Sequence, residues 1–406
     1  MAIFQAATRD PVIAFDAGNG WNAPLHRVSM SSPHRQNNFD LIRLLAAAQV
    51  VVAHAIGHTP LVHQLPPWGK QVFDALLLLP GVPIFFVISG FLITQSYERN
   101  PADLKGYFWR RGLRIFPAMW VCLLVTLVAL GVFGFLGADF VFTKTFAAWL
   151  AGQVSFAQFY NPEHFREFGI GVANGALWTI TVELQFYAFV PILHWLTRFV
   201  GKASSFLTGA LFLVSFAAYC VMDHHVNGPG GFTGAPVVCK LMHVTLLPHL
   251  WMFMLGIFIH RNFGTMRAAL EGKFLWYFSS YAMLVAAMHT VVPFRSVTYY
   301  LGYLPSRAVL ALAVISAAYT ARSLSTKLLR GMDLSYGTYL YHSVVINVFV
   351  ELGWLSSLSA VIWISIVSIA IALASWHGVE KPALACKSFS PRALWLRWFP
   401  AARSAP

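Results

Sequence analysis

Residues 38–57 read NFDLIRLLAAAQVVVAHAIG. The run is long enough to cross a bilayer, which takes about 20 residues at roughly 1.5 Å rise each. It nevertheless carries Asp40 and Arg43 in its entry turn and His54 near its far end. A centrally placed Arg costs roughly 2.5–3.5 kcal/mol on insertion scales. Groups that costly face a protein-lined, wet or catalytic interior. The stretch therefore points to an integral membrane protein with chemistry inside its bundle.

The rest of the chain agrees. Of 406 residues, 58% are hydrophobic and 11% charged, and mean hydropathy is +0.63. Soluble domains carry about 25% charged residues. Ten apolar segments stand out, near 38–57, 75–97, 112–136, 176–199, 204–222, 242–261, 273–291, 302–320, 334–353 and 357–377. The expected fold is all-α and polytopic, with about ten transmembrane helices. The stretch 138–160 is amphipathic and reads as an interfacial or re-entrant piece; an eleventh span is the alternative. Residues 1–37 and 381–406 read as tails around a domain at 38–380, and no cleavable signal peptide is evident in the first.

The net charge of +13 raises the question of nucleic acid, but its distribution answers it. With ten spans, twenty-one of the 28 Lys and Arg fall on the side of the N-terminus, six on the other, and Arg43 inside the first span. Positive charge stays in the cytoplasm, so both termini are expected there, the partner is the lipid bilayer, and no nucleic acid is implied. Four cysteines show no metal-ligand spacing. They read as buried free thiols, with a Cys220–Cys239 bridge left open.

Ionisable residues inside apolar segments are the candidates for chemistry. Asp40 and Arg43, spaced i, i+3, can pair, as a structural ion pair or facing a ligand. His54 can take a proton from a hydroxyl near neutral pH; a carbonyl-bonded structural histidine is the plain alternative. His58 follows at i+4, but Ala55 stands where a zinc hydrolase would carry its Glu, so no metal is expected. Arg110, Arg111 and Arg114 open the third segment. Arg111 and Arg114 share a face and suit a phosphate-bearing donor, or simply anchor the span. Gly90, within GVPIFFVISGFLIT, suits close helix packing. Glu183, in WTITVELQFY, is a membrane-buried carboxylate, either functional or paired with a buried Arg such as Arg43. His342, in SYGTYLYH, can bond Glu183 or a substrate, or join two helices. WHGVEKP closes the last span, where Pro382 is expected to stop the helix.

The order of these pieces is more specific than any one of them. Asp-x-x-Arg43 with ten residues before His54, then FFVISGFLIT, Arg111-x-x-Arg114-Ile-x-Pro117, Trp178-x-x-x-Val-Glu183-x-Gln-Phe-Tyr187, SYGTYLYH and Val-Glu380-x-Pro382 resembles acyltransferase family 3. The resemblance covers roughly residues 36–385. It implies a ten-span enzyme of the bacterial inner membrane that moves acyl groups, often acetyl, onto sugars of polysaccharides, glycolipids or oligosaccharides. It implies His54 as the essential histidine, Arg43 as its motif partner, Arg111 and Arg114 in acyl-donor handling, and Glu183 as the motif carboxylate. Leu184 departs from it, since many members carry a second Glu there. On this reading acetyl-CoA or another acyl-CoA docks from the cytoplasm, and a glycan hydroxyl is the acceptor. His54 is base or acyl carrier, Glu183 or His342 orients it, and Asp40 and His342 help bind substrate. The rival reading is a glycolipid transporter or flippase that uses the same buried charges for coupling.

Overall fold

The computed structural model describes residues 37–228, 231–292 and 296–388. Nearly all of the first expected tail, and the second beyond 388, lie outside that range. The regular elements among the described residues are all helices, with no strand. Ten principal helices are α1 (Phe39–Gly57), α2 (Gly81–Glu98), α3 (Leu104–Val132), α4 (Trp178–Val200), α5 (Ser204–Val226), α6 (Leu250–Arg261), α7 (Phe274–Val291), α8 (Val297–Ala318), α9 (Ser335–Glu351) and α10 (Ser359–Ser375).

Among the described residues seven stretches are long and apolar enough to cross a membrane, which does not confirm the expected count of about ten. The shortfall has three sources. Trp178–Val226 is one apolar stretch holding both α4 and α5. Helix α6 has 12 residues, about 18 Å at 1.5 Å each, and α9 has 17. Residues 138–160 break into Ala138–Val141 and an 11-residue helix, Lys144–Val154. That is too short to cross about 30 Å of hydrocarbon.

Helix α9 is the centre. Fourteen of its 17 residues are buried, so nearly every polar side chain on it needs a partner within the protein. Tyr336 donates to the Ile115 carbonyl (2.9 Å) on α3. Tyr341 donates to Ser375 (3.3 Å) on α10. Asn347 donates to the Val172 carbonyl (2.8 Å), and its own oxygen accepts from Ile170 N–H (3.0 Å). Ser343 accepts from Gly175 N–H (2.8 Å) and Glu351 from Gly169 N–H (2.7 Å). These bonds strap the loop 161–177 onto α9. Gly169 has φ of +58°, and a Cβ there would run into Asn347.

The pairings also set direction. Arg43 and then His54 on α1 meet Asp333 and then His342, so α1 and α9 run parallel. Ile115 and Cys122 on α3 meet Tyr336 and Leu340 in the same order.

Before α2 the chain forms a helix, Pro67–Leu77, and then breaks at 78–80. Non-helical backbone inside an apolar bundle must be satisfied by protein. Gln49 takes Gly81 N–H (2.9 Å) and reaches the Leu76 carbonyl (3.4 Å). Tyr281 donates to the Leu78 carbonyl (2.5 Å) and accepts from Arg307 (2.7 Å). Arg307 thus sits mid-helix in α8, over the Tyr303 ring, and is one of the six positive charges that the sequence assigns to the side away from the N-terminus. Cys220 and Cys239 are not bridged. Pro382 does not end the last helix. A π-turn at Trp376–Glu380 puts it in the first turn of Lys381–Ala385, where its missing N–H leaves nothing unpaired.

Helices α2 and α6 touch backbone to backbone. A Cβ on Gly90 would strike the Phe253 carbonyl, and one on Gly256 would strike the Val87 carbonyl. Neither helix backbone can yield as a flexible side chain would. Gly90→Val is expected to destabilise the fold by about 1–3 kcal/mol, the usual cost of overpacking. A lower thermal midpoint in detergent checks this; an unchanged midpoint would show that the two helices can separate freely.

Candidate active site

Arg43 and His54 are eleven residues apart, about three helical turns, so they share one face of α1 roughly 16 Å apart along its axis. That face meets α9 at two polar layers.

At the His54 layer, His54 Nδ1 lies 2.9 Å from His342 Nε2, and His342 Nδ1 lies 2.5 Å from the Tyr339 carbonyl. A carbonyl only accepts, so His342 Nδ1 carries a proton. In a neutral imidazole its Nε2 is then an acceptor, and His54 Nδ1 must donate to it. This assignment leaves His54 Nε2 with a free lone pair. His342 is wholly buried, while His54 is half-buried. The His58 ring meets His54 edge-on at 4.8 Å. His342 therefore holds the imidazole of His54. Glu183, the other residue considered for that task, does not bond it.

At the Arg43 layer the centre is Asp333, which sequence reading did not single out. Its Oδ2 pairs with Arg43 (2.9 Å) and with Arg114. Its Oδ1 accepts from the Ser335 hydroxyl (2.6 Å) and backbone N–H at the start of α9. Burial alone would raise the Asp333 carboxyl, but Arg114 and Arg43 outweigh it and hold it well below the usual carboxylate range. Asp40 is 3.9 Å from Arg43, at the edge of an ion pair, so the expected i, i+3 pair is the weaker of Arg43's two contacts. The available signal was position: Asp333 stands two residues before the SYGTYLYH motif.

Arg111 and Arg114 are engaged differently. Arg114 is committed to Asp333. The Arg111 guanidinium lies over the Tyr187 ring at 5.4 Å and Tyr107 at 5.8 Å. It forms no ion pair among the described residues, and its buried Nε has no hydrogen-bond partner there. Lys387 adds positive charge beside both arginines. Glu183 accepts from Tyr187 Oη (2.5 Å) and forms no ion pair with Arg43 or any other described residue.

A cavity lies between the layers. Arg43, Ser89, Thr179, Glu183 and Ser335 give its polar lining, and Val82, Phe85, Phe86 and Ile180 its apolar wall. Tyr336 and Tyr339 complete it from α9. Glu380, read from sequence as part of a helix end, is buried and accepts from Ser375 (3.1 Å). Among the described residues no three His, Cys, Asp or Glu side chains cluster as a metal site would require. The site thus holds an imidazole nitrogen uncommitted to a partner, a cavity lined on α9 as far as Tyr339, and an arginine cluster at its Arg43 end.

The comparisons bear directly on that chemistry. A profile of the acyltransferase domain of family 3 matches residues 36–377. The chain is 36% identical over 366 residues to Nodulation protein 10 of Rhizobium leguminosarum bv. viciae, covering 87% of this chain and 94% of the relative. It is 25% identical to an O-acetyl transferase of Shigella phage Sf6, covering 86% and 96%. It is 30% identical to the peptidoglycan O-acetyltransferase OatA of Listeria monocytogenes, over 30% of this chain and 20% of that one. No solved structure matches. The chain belongs to acyltransferase family 3, and is a membrane-embedded enzyme that transfers acyl groups to oxygen.

Proposed function

We propose that this enzyme carries an acyl group, acetyl in the first instance, from a cytoplasmic acyl-CoA to a hydroxyl of a sugar or glycan presented at the opposite face of the bacterial inner membrane. The carrying observation is the free His54 Nε2, set by the chain from His54 to His342 to the Tyr339 carbonyl. Nε2 takes the proton of the acceptor hydroxyl as its oxygen attacks the thioester carbonyl. The carbon–sulfur bond breaks, and the proton passes from His54 to the departing thiolate of CoA. His342 positions and polarises the ring. Arg111, with donors uncommitted to any carboxylate, contacts the donor's phosphates, while Arg43 and Arg114 hold Asp333 and so the start of α9. Glu183 and Asp40 flank the path of the thioester as substrate-side carboxylates. The acetyl group and the glycan acceptor are supported by relatives named as O-acetyltransferases, one of them acting on peptidoglycan.

We assign residues 38–380 to the catalytic domain, with the tails on either side in the cytoplasm. With that orientation Lys105, at the Arg43 end of the bundle, faces the cytoplasm. In a cysteine-free background, a Cys at position 105 is expected to resist an impermeant thiol reagent in intact cells and to react in inverted vesicles. Labelling from outside would reverse the orientation.

His54→Ala is expected to lower acyl transfer per inserted protein by about 10²–10⁴-fold, the worth of general-base assistance. His342→Ala should fall partway, because the ring of His54 remains but loses its acceptor. The readout is radiolabelled acyl incorporation in inverted vesicles that retain their native acceptor. Near-normal turnover in His54→Ala would remove this residue from the mechanism, whereas absence of incorporation by the wild type would favour glycolipid transport without acyl transfer.

Arg111→Ala is expected to weaken donor use by about 1.5–3 kcal/mol, one charge-assisted contact. Arg111→Lys should restore part of it, since the planar fork is lost. An unchanged KM for acyl-CoA in Arg111→Ala would reduce this arginine to a topological anchor.

A further inference from the structure

On α9 the lining of the cavity runs from Ser335 to Tyr339, three residues short of His342. Phe85 and Tyr339 both line it, and their rings meet edge to face at 5.6 Å. Tyr339 stands about one turn before His342, its ring 5.6 Å from that imidazole. The Phe85–Tyr339 pair therefore lies between the Arg43 end of the cavity and the His342–His54 dyad.

The two rings are held in different ways. Tyr339 is buried, its hydroxyl accepts from Thr179 (2.8 Å), and its carbonyl binds His342. It cannot move without disturbing the dyad. Phe85 is half-buried, has no polar tether and is kept in place by packing alone. Beside it, Val82, Phe86 and Ile180 continue an apolar wall. A thioester entering from the cationic end on its way to His54 would bring its acyl group against this pair and the apolar wall beside it.

We propose that Phe85 sets the acyl-chain length, closing the wall against Tyr339 so that acetyl passes and longer chains are discriminated against. The inference rests on the acyl-CoA reading of the donor. Each methylene accepted or refused by a hydrophobic pocket is worth about 10–200-fold in specificity. Forcing extra methylenes against a packed wall drives side chains off their rotamers. Phe85 is the wall residue free to be trimmed without touching the polar network of α9.

The test supplies radiolabelled acetyl-, propionyl- and butyryl-CoA to inverted vesicles bearing wild type, Phe85→Leu or Phe85→Ala. Incorporation is normalised to inserted protein. The wild type is expected to prefer acetyl over butyryl by at least about tenfold, and Phe85→Ala to narrow that ratio by at least about tenfold, with Phe85→Leu between. If Phe85→Ala fails to insert, Phe85→Leu decides by the same ratio. A wild type that uses butyryl as fast as acetyl, or a variant that transfers acetyl with the ratio unchanged, overturns the filter. A wild type that incorporates none of the three overturns the acyl-CoA donor itself, and the filter with it.

Discussion

The structure depends on one constraint, that α9 is buried on nearly every side while carrying Ser, Thr, Tyr, His and Asn along its whole length. An orphaned buried donor or acceptor costs roughly 1–3 kcal/mol. The helix is therefore stable only where its neighbours bring partners to it. Ile115, Ser375 and His54 each supply one, the 161–177 loop supplies several, and Thr338 is the exception, with an unpartnered hydroxyl among the described residues. Lipid-facing helices can slide against one another at little cost. A helix bonded in this way has one register.

That register separates two tasks on the same pair of helices. The Arg43 layer is ionic and holds α1, α3 and α9 together through a single carboxylate, Asp333. Removing one partner of a buried ion pair costs about 3–5 kcal/mol, so this layer resists motion. The His54 layer has no ion pair and is directional, with its one free nitrogen defined by what the other three ring nitrogens do. Substrate can meet the second layer without competing for the charges that stabilise the first. Arg111, cushioned on two tyrosines, is the arginine left with uncommitted donors.

The broken approach to α2 fits the same logic. Its loose backbone groups are met by Gln49 and by Tyr281 with Arg307 behind it. The cavity wall of Val82, Phe85 and Phe86 begins directly after the break, so these distant polar residues fix where that wall stands.

Sequence alone determined that this is a membrane protein and which residues are too costly to be idle. A run such as 38–57 is apolar enough to span, and Arg43 and His54 within it violate that pattern; both facts are local and readable. The ordered motifs carried the family for the same reason, since they are short patterns along one chain. Partner choice was not local. Arg43 and Asp333 are 290 residues apart and His54 and His342 are 288 apart, so only packing decides that they meet. The i, i+3 rule favoured Asp40 for Arg43, but Asp333 offers a shorter contact in a more buried place. The span count is not settled by length and composition, because hydropathy sees apolar length, whereas α6 and α9 are short helices enclosed by protein. The free nitrogen of His54 was likewise beyond sequence, because a histidine's tautomer is set by its neighbours' lone pairs, and those exist as neighbours only once the chain has folded.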